Sequence, residues 1–236
     1  MYLLTQIGFI VLTLLCLGLI LKQLRQALSQ ADLSVKQQKR IWVGTCLGLL
    51  VWLSFLSLVS LSGFFSNFSG FPPRIGIVLI VPLITILILT FSRNINSLLK
   101  VIPPQSILYL QSFRAIVELL LWLLFIQNIL PVQMTFEGQN WDILVGLTAP
   151  VVAYFSFVRR SWSRVVVILW NVLGLLLLAN IVIIAMLSMP TIFRVFMNDP
   201  ANTIVAQFPF IWLPGVLVPI AYSMHFFSLK QQILSR

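Results

Sequence analysis

The chain has 236 residues, of which 60% are hydrophobic and 8% charged, and a formal net charge of +10. A soluble domain carries roughly 25% charged residues because its surface must be wetted, so this composition excludes a water-soluble globular protein. The basic excess would suit nucleic acid, but the positions of the charges mark membrane topology instead.

A bilayer core of roughly 30 Å needs about 20 helical residues to cross it. Seven apolar runs approach that length, at residues 2–21, 41–61, 75–91, 106–130, 141–158, 165–189 and 206–227. In lipid every backbone N–H and C=O must be satisfied within the chain, so these runs predict helices. Strands of a β-barrel would alternate polar and apolar residues, and these runs do not. The expected fold is therefore all-α: one polytopic domain over residues 1–236, a bundle of seven transmembrane helices. Runs three and five are the shortest, which leaves six spans with one re-entrant segment as the alternative.

Run one has no preceding basic residue and no small-residue cleavage site, so it reads as a retained anchor rather than a signal peptide. Cys16 near its inner end and Cys46 in run two read as small buried hydrophobes, with no disulfide framework. The connecting segment 22–40 has room for one surface helix. It also opens a sharp sorting of charge. Lys22, Arg25, Lys36, Lys39, Arg40, Arg93, Lys100, Arg159, Arg160, Arg164, Lys230 and Arg236 fall on one side, against Arg74 and Arg194 on the other. Basic residues flanking spans stay in the cytoplasm, which places the N-terminus outside and the C-terminus inside. The same residues would attract anionic lipid headgroups on that face.

Phe64, Phe65, Phe68 and Phe71, between runs two and three, read as interfacial anchors. Pro82 interrupts run three and Pro150 run five. Run four carries Arg114 and Glu118, the only ionisable pair well inside a span. At about 1.5 Å per residue Glu118 lies near the bilayer midplane, where charge is costly and usually faces the bundle interior. The i, i+4 spacing puts both on one helix face. Two readings follow. In one the pair neutralises itself and holds helices together; in the other Glu118 is the titrating group of a polar site.

Further polar residues fall at similar depth: Tyr154 and Ser156 in run five, Asn171 in run six, Tyr222 and His225 in run seven. Each alone reads as packing glue, and together they suggest a polar cavity facing the cytoplasm. Glu137, Asp142 and Asp199 fall in external loops, where they would cap helices, pair with Arg74 or Arg194, or hold a hard cation weakly. Run seven carries Pro209, Pro214 and Pro219, candidate hinges of a broken, site-forming helix.

The Arg114–Glu118 run, residues 134–147 and the string Phe208-Pro209-Phe210-Ile211-Trp212-Leu213-Pro214 resemble a family of uncharacterised bacterial multi-pass membrane proteins, over roughly the second half of the chain. That resemblance implies a bacterial cytoplasmic (inner) membrane and attaches no activity.

Several functions are disfavoured. All lysines lie in inner segments, which removes a Schiff-base lysine for retinal. A single histidine cannot supply bis-histidine haem ligation. No HExxH motif or recognisable nucleophile motif is present, so enzyme chemistry is the weaker expectation and no cofactor or metal is implied. The preferred reading is a small-molecule or ion transporter, or a ligand-binding bundle, with candidate site residues Arg114, Glu118, Asn171, Tyr154, Tyr222 and His225. The alternative is a non-catalytic scaffold that packs against another membrane protein or a second copy of itself.

Overall fold

The computed structural model describes residues 1–70, 73–92 and 94–234, and of Asn94 the backbone alone. Phe71, Arg93 and Arg236, which figure in the anchor and charge readings above, lie outside the described residues. Among the described residues the regular structure is entirely helical, with no strand.

Four helical stretches are long and apolar enough to cross a bilayer. They are α1 (Tyr2–Gln30), α2 (Val35–Leu61), the consecutive pair α5 (Pro104–Leu110) and α6 (Phe113–Phe125), and α8 (Arg164–Leu187). A fifth arises if α3 (Gly76–Phe91) is joined to α4 (Asn94–Val101), across a bend of 79°. The remaining apolar segments are shorter or broken. They are α7 (Ile143–Ala153), which continues into a π-helical turn at Tyr154–Val158, and α9 (Val218–Leu234), which follows a π-helical turn at Leu213–Leu217.

The element ends differ from the apolar runs for local reasons. Segment 22–40 is no separate surface helix. Lys22, Gln23, Arg25 and Gln26 are good helix formers with unbranched stems, and they carry α1 on to Gln30. Ser34 then opens α2 with a capping box, its side chain and that of Gln37 each satisfying the other's backbone N–H. Run four ends at Phe125, not 130, and tightens in its middle. The N–H groups of Gln111, Ser112, Arg114 and Ala115 bond three residues back instead of four, a 3-10 turn placed just before the buried arginine.

Run seven is not one helix. Proline has no N–H to complete the i→i−4 ladder. Residues 207–212 accordingly form turns, Pro214 and Gly215 sit inside the π turn, and the α-helix resumes at Val218. Pro219 follows directly on the π turn, and the Gly215 carbonyl that its missing N–H leaves free accepts from Trp52 Nε1 at 2.9 Å.

α9 packs against α3, α4, α5 and α8 and forms the centre of the bundle. At one end, Ala27 and Leu28 of α1 and Ala31 just after it meet Leu98 of α4. There the Lys230 ammonium donates to the carbonyls of Thr90 and Ser92 at the C-terminal end of α3, and Gln231 donates to Leu99 and Ile102 at 2.7 and 2.9 Å. Lys22, Arg25, Lys100 and Lys230 are thereby gathered at one end of the molecule. At the opposite end Ser60 donates to the Ala206 carbonyl at 2.7 Å. Gln133 bonds Ser188 and Asn198, and Arg194 holds the carbonyls of Phe196 and Asn198. α2 is tied to the last segment along one edge, through Trp52, Ser57 and Ser60, and of its length only Leu56 and Ser60 are buried.

Candidate functional site

The site begins with the chain leaving the C-terminal end of α6. Asn128 takes a left-handed conformation (φ 55°), which asparagine tolerates better than most residues, and a 3-10 turn follows at Val132–Met134. The chain then runs back along α6 in open backbone. Trp122 Nε1 donates to Glu137 Oε1 at 2.6 Å. Lower down, Asn140 Nδ2 sits 2.7 and 2.6 Å from the two carboxylate oxygens of Glu118 and 3.0 Å from the Met134 carbonyl. Lower still, Asp142 receives the Arg114 guanidinium bidentately, Nε at 2.7 Å from Oδ2 and Nη2 on Oδ1. Trp122, Glu118 and Arg114 are spaced by four residues on one face of α6, and Glu137, Asn140 and Asp142 meet them in turn.

This corrects two expectations. Residues 137–142 are not wholly solvated: Asn140 and Asp142 turn in against α6 and are 1% and 5% exposed, whereas Glu137, Gln139 and Trp141 stay exposed. Arg114 and Glu118 do not form the self-neutralising pair that their spacing suggested. The planar fork of arginine fits a carboxylate presented edge-on, and Asp142 presents one while Glu118 lies alongside. Asp142 stands at the N-cap position of α7, yet its side chain caps nothing, since both oxygens are committed to Arg114. Its own N–H donates to Asn140 Oδ1 at 3.1 Å and fixes the amide that serves Glu118.

Arg114 also reaches across to α9 and α8. Its Nη1 lies 2.6 Å from His225 Nε2, and Nη2 is 3.4 Å from the Gly174 carbonyl. Arginine has only donors, so His225 Nε2 must be the accepting, unprotonated nitrogen. The proton therefore sits on Nδ1, which donates to Asn171 Oδ1 at 2.9 Å. Asn171 Nδ2 in turn donates to Ser228 Oγ and the Val167 carbonyl at 2.9 and 2.8 Å. The chain Asp142–Arg114–His225–Asn171–Ser228 is thus fully assigned and ties four elements together. The arginine is held at the cost of leaving His225 no room to accept a second proton.

Two glycines make these approaches possible. A Cβ at Gly174 would run into the imidazole of His225, and one at Gly146 would strike the backbone N of Ala115, with Cβ at 2.9 Å and Cα at 3.0 Å. Gly146 lies one turn beyond Asp142, so the close contact of α7 with α6 is what brings the carboxylate to the guanidinium.

Above this network lies a cavity of about 480 Å³. Leu79 and Ile80 of α3, Val117 and Leu121 of α6, Leu178, Ile181 and Ala185 of α8, and Leu213, Pro214 and Val218 line it. Its wall is apolar apart from a few polar atoms, and the ionisable residues that line it are Glu118 and Asp142.

The other residues singled out from sequence are dispersed. Asn171 and His225 join the network and are fully buried. Tyr154 lies on the π turn after α7, 47% exposed, with its ring edge-on to Phe155. Tyr222 is half-buried and stacks on Phe226. Pro214 lines the cavity, whereas Pro209 and Pro219 do not. Asp199 is exposed and 3.6 Å from Arg194, Glu137 is taken by Trp122, and Arg74 lies over the Phe64 ring at 4.6 Å. Cys16 and Cys46 are free thiols. Among the described residues no three His, Cys, Asp or Glu side chains gather as a metal site. Asn140, Ser228, Gly146 and Gly174 escaped the sequence reading. Ser228 carried a signal, since it follows His225 by three residues on one helix face; Asn140 carried none.

No curated protein and no solved structure matches the sequence. One family does match, over residues 72–232, a stretch that contains the whole hydrogen-bonded network and the cavity that Glu118 and Asp142 floor. The chain belongs to that family, which is described as a domain of unknown function, DUF8737.

Proposed function

We propose that the protein is a seven-span integral membrane protein that binds a small molecule at an intramembrane site and carries it across the bilayer. The observation that supports this reading is the cavity beside α6. It is an apolar chamber of about 480 Å³, within the usual range of ligand sites of roughly 300–1,000 Å³, with carboxylates at one wall. Arg114 is neutralised by Asp142, but Glu118 has only an amide for company. A buried carboxylate without a cation costs several kcal/mol, and such groups in membranes usually mark function. The broken segment at Leu213–Leu217, which lines the same cavity, supplies the movable wall that alternating access needs.

Ala185→Trp fills the cavity without touching the network. Native mass spectrometry of the protein in lipid nanodiscs should find a small molecule retained by the wild type and reduced at least about tenfold in this variant, a change of about 1.4 kcal/mol. Equal retention by both, or a wild type that holds nothing and responds to no compound in a thermal-shift screen, would defeat the reading.

In this reading the basic end of the bundle faces the cytoplasm of a bacterial cell, against anionic headgroups, and the N-terminus lies outside. Reporter fusions should read outside at the N-terminus and inside at the C-terminus. Both on one face would remove the odd span count.

A second reading, the non-catalytic scaffold, draws support from α2. Its apolar length is almost wholly unburied, and Gly44 and Gly48 form a small-xxx-small pair with open space at both.

A further inference from the structure

Glu118 poses a question of charge balance. Asn140 Nδ2 has two hydrogens, one of which also has the Met134 carbonyl within 3.0 Å, so the amide supplies the carboxyl with little more than one donor. The guanidinium one turn away is consumed by Asp142, His225 and the Gly174 carbonyl. The groups facing Glu118 can be enumerated by element. α6 itself brings Arg114, the head of α7 brings Asp142, and α9 brings neutral His225 and the Tyr222 hydroxyl. From α1 the buried titratable side chain is Cys16, while α3, α8 and the π turn present apolar side chains to the cavity. Arg114 and Asp142 cancel. One negative charge remains to be met whenever Glu118 is ionised.

Only two kinds of positive charge can meet it. One is a proton. The other must come from the cavity, and the cavity rejects a bare metal ion, which needs six or more oxygen ligands, because its wall is hydrocarbon. What fits is a charge carried on an apolar body. We infer that the ligand is a lipophilic monocation, an ammonium or onium group on a hydrophobic frame, and that it exchanges with a proton on Glu118. One proton leaves the carboxyl for each cation bound, so the buried charge stays at zero in both states. This rests on the reading of the cavity as a ligand site and adds the chemistry of what enters it.

The test uses the full chain in lipid nanodiscs and three probes of similar bulk: tetraphenylphosphonium, tetraphenylborate and neutral triphenylphosphine oxide. Tetraphenylphosphonium should bind with an affinity that rises about tenfold per pH unit while Glu118 carries its proton, the slope of one displaced proton. Glu118→Gln should lose that slope and weaken binding at least about thirtyfold, as expected for one partner of a buried charge pair. Glu118→Asp, which keeps the charge, should keep the slope and serves if the amide variant folds poorly. Binding of the cation that ignores pH, or equal binding of the borate and the oxide, overturns the inference. If Ala185→Trp still abolishes that binding, the cavity stands as a ligand site and only the cation chemistry falls. Failure of all three probes overturns the inference as well, and the retained small molecule then decides the broader reading independently.

Discussion

Arg114→Leu should be among the most damaging single substitutions in this protein, and adding Asp142→Leu should largely undo the damage. The guanidinium and the carboxylate are 2% and 8% exposed and bond through two parallel contacts. Removing the arginine alone strands the Asp142 carboxylate in the interior without the donors that hold it. Breaking a buried pair in this way costs about 3–5 kcal/mol, whereas replacing both partners by apolar residues is often neutral or stabilising. Thermal melts in detergent should therefore show a large loss for Arg114→Leu and for Asp142→Leu, and a substantial recovery in the double variant. Arg114→Leu combined with Glu118→Leu should show no recovery beyond the effect that Glu118→Leu has alone, because Glu118 is not the partner. Non-additive recovery in the second combination and not the first would reverse the assignment of the pair.

Gly146→Val should rival it by a different route. The added Cβ meets the Ala115 backbone, which cannot rotate away as a side chain would. α7 must then step back from α6, and overpacking of this kind costs about 1–3 kcal/mol or more. The displacement would also withdraw Asp142, one turn earlier, from Arg114. The observable consequence is non-additivity: Gly146→Val should cost far less in the Arg114→Leu/Asp142→Leu background than in the wild type, since contacting groups couple. Equal costs in both backgrounds would mean that the glycine serves packing alone.

How much of this could be read from the chain depends on the physics behind each residue. The helical character and the long apolar stretches were legible because uninterrupted apolar runs of about 20 residues without alternation favour helix. Arg114 and Glu118 announced themselves because charge in an apolar run is expensive and must be used or neutralised. Asn171 and His225 were legible for a weaker form of the same reason. The partner of Arg114 was not. Spacing along a helix reports only local neighbours, and Glu137-Gly138-Gln139-Asn140-Trp141-Asp142 has the polarity of any solvated turn. Nothing in it says that the chain folds inward, because the reason lies on another segment, in donors and acceptors of α6 that need partners. Tyr154 failed for a related cause. The π turn at Tyr154–Val158 shifts the helical register, so that its ring, expected to face the interior, is nearly half exposed. The three prolines of the last run foretold a break, but not that Pro214 alone would border the cavity.

The path of residues 137–142 down the side of α6 has a consequence for biogenesis. α6 cannot be released into lipid by itself without Arg114 and Glu118 bare, and α7 cannot follow without Asp142 bare. Each half is tolerable only when the other already covers it. In the membrane reading proposed above, the stretch from Phe113 to Ala153 is therefore expected to insert as one hairpin, because the Arg114–Asp142 and Glu118–Asn140 contacts let each half cover the polar groups of the other.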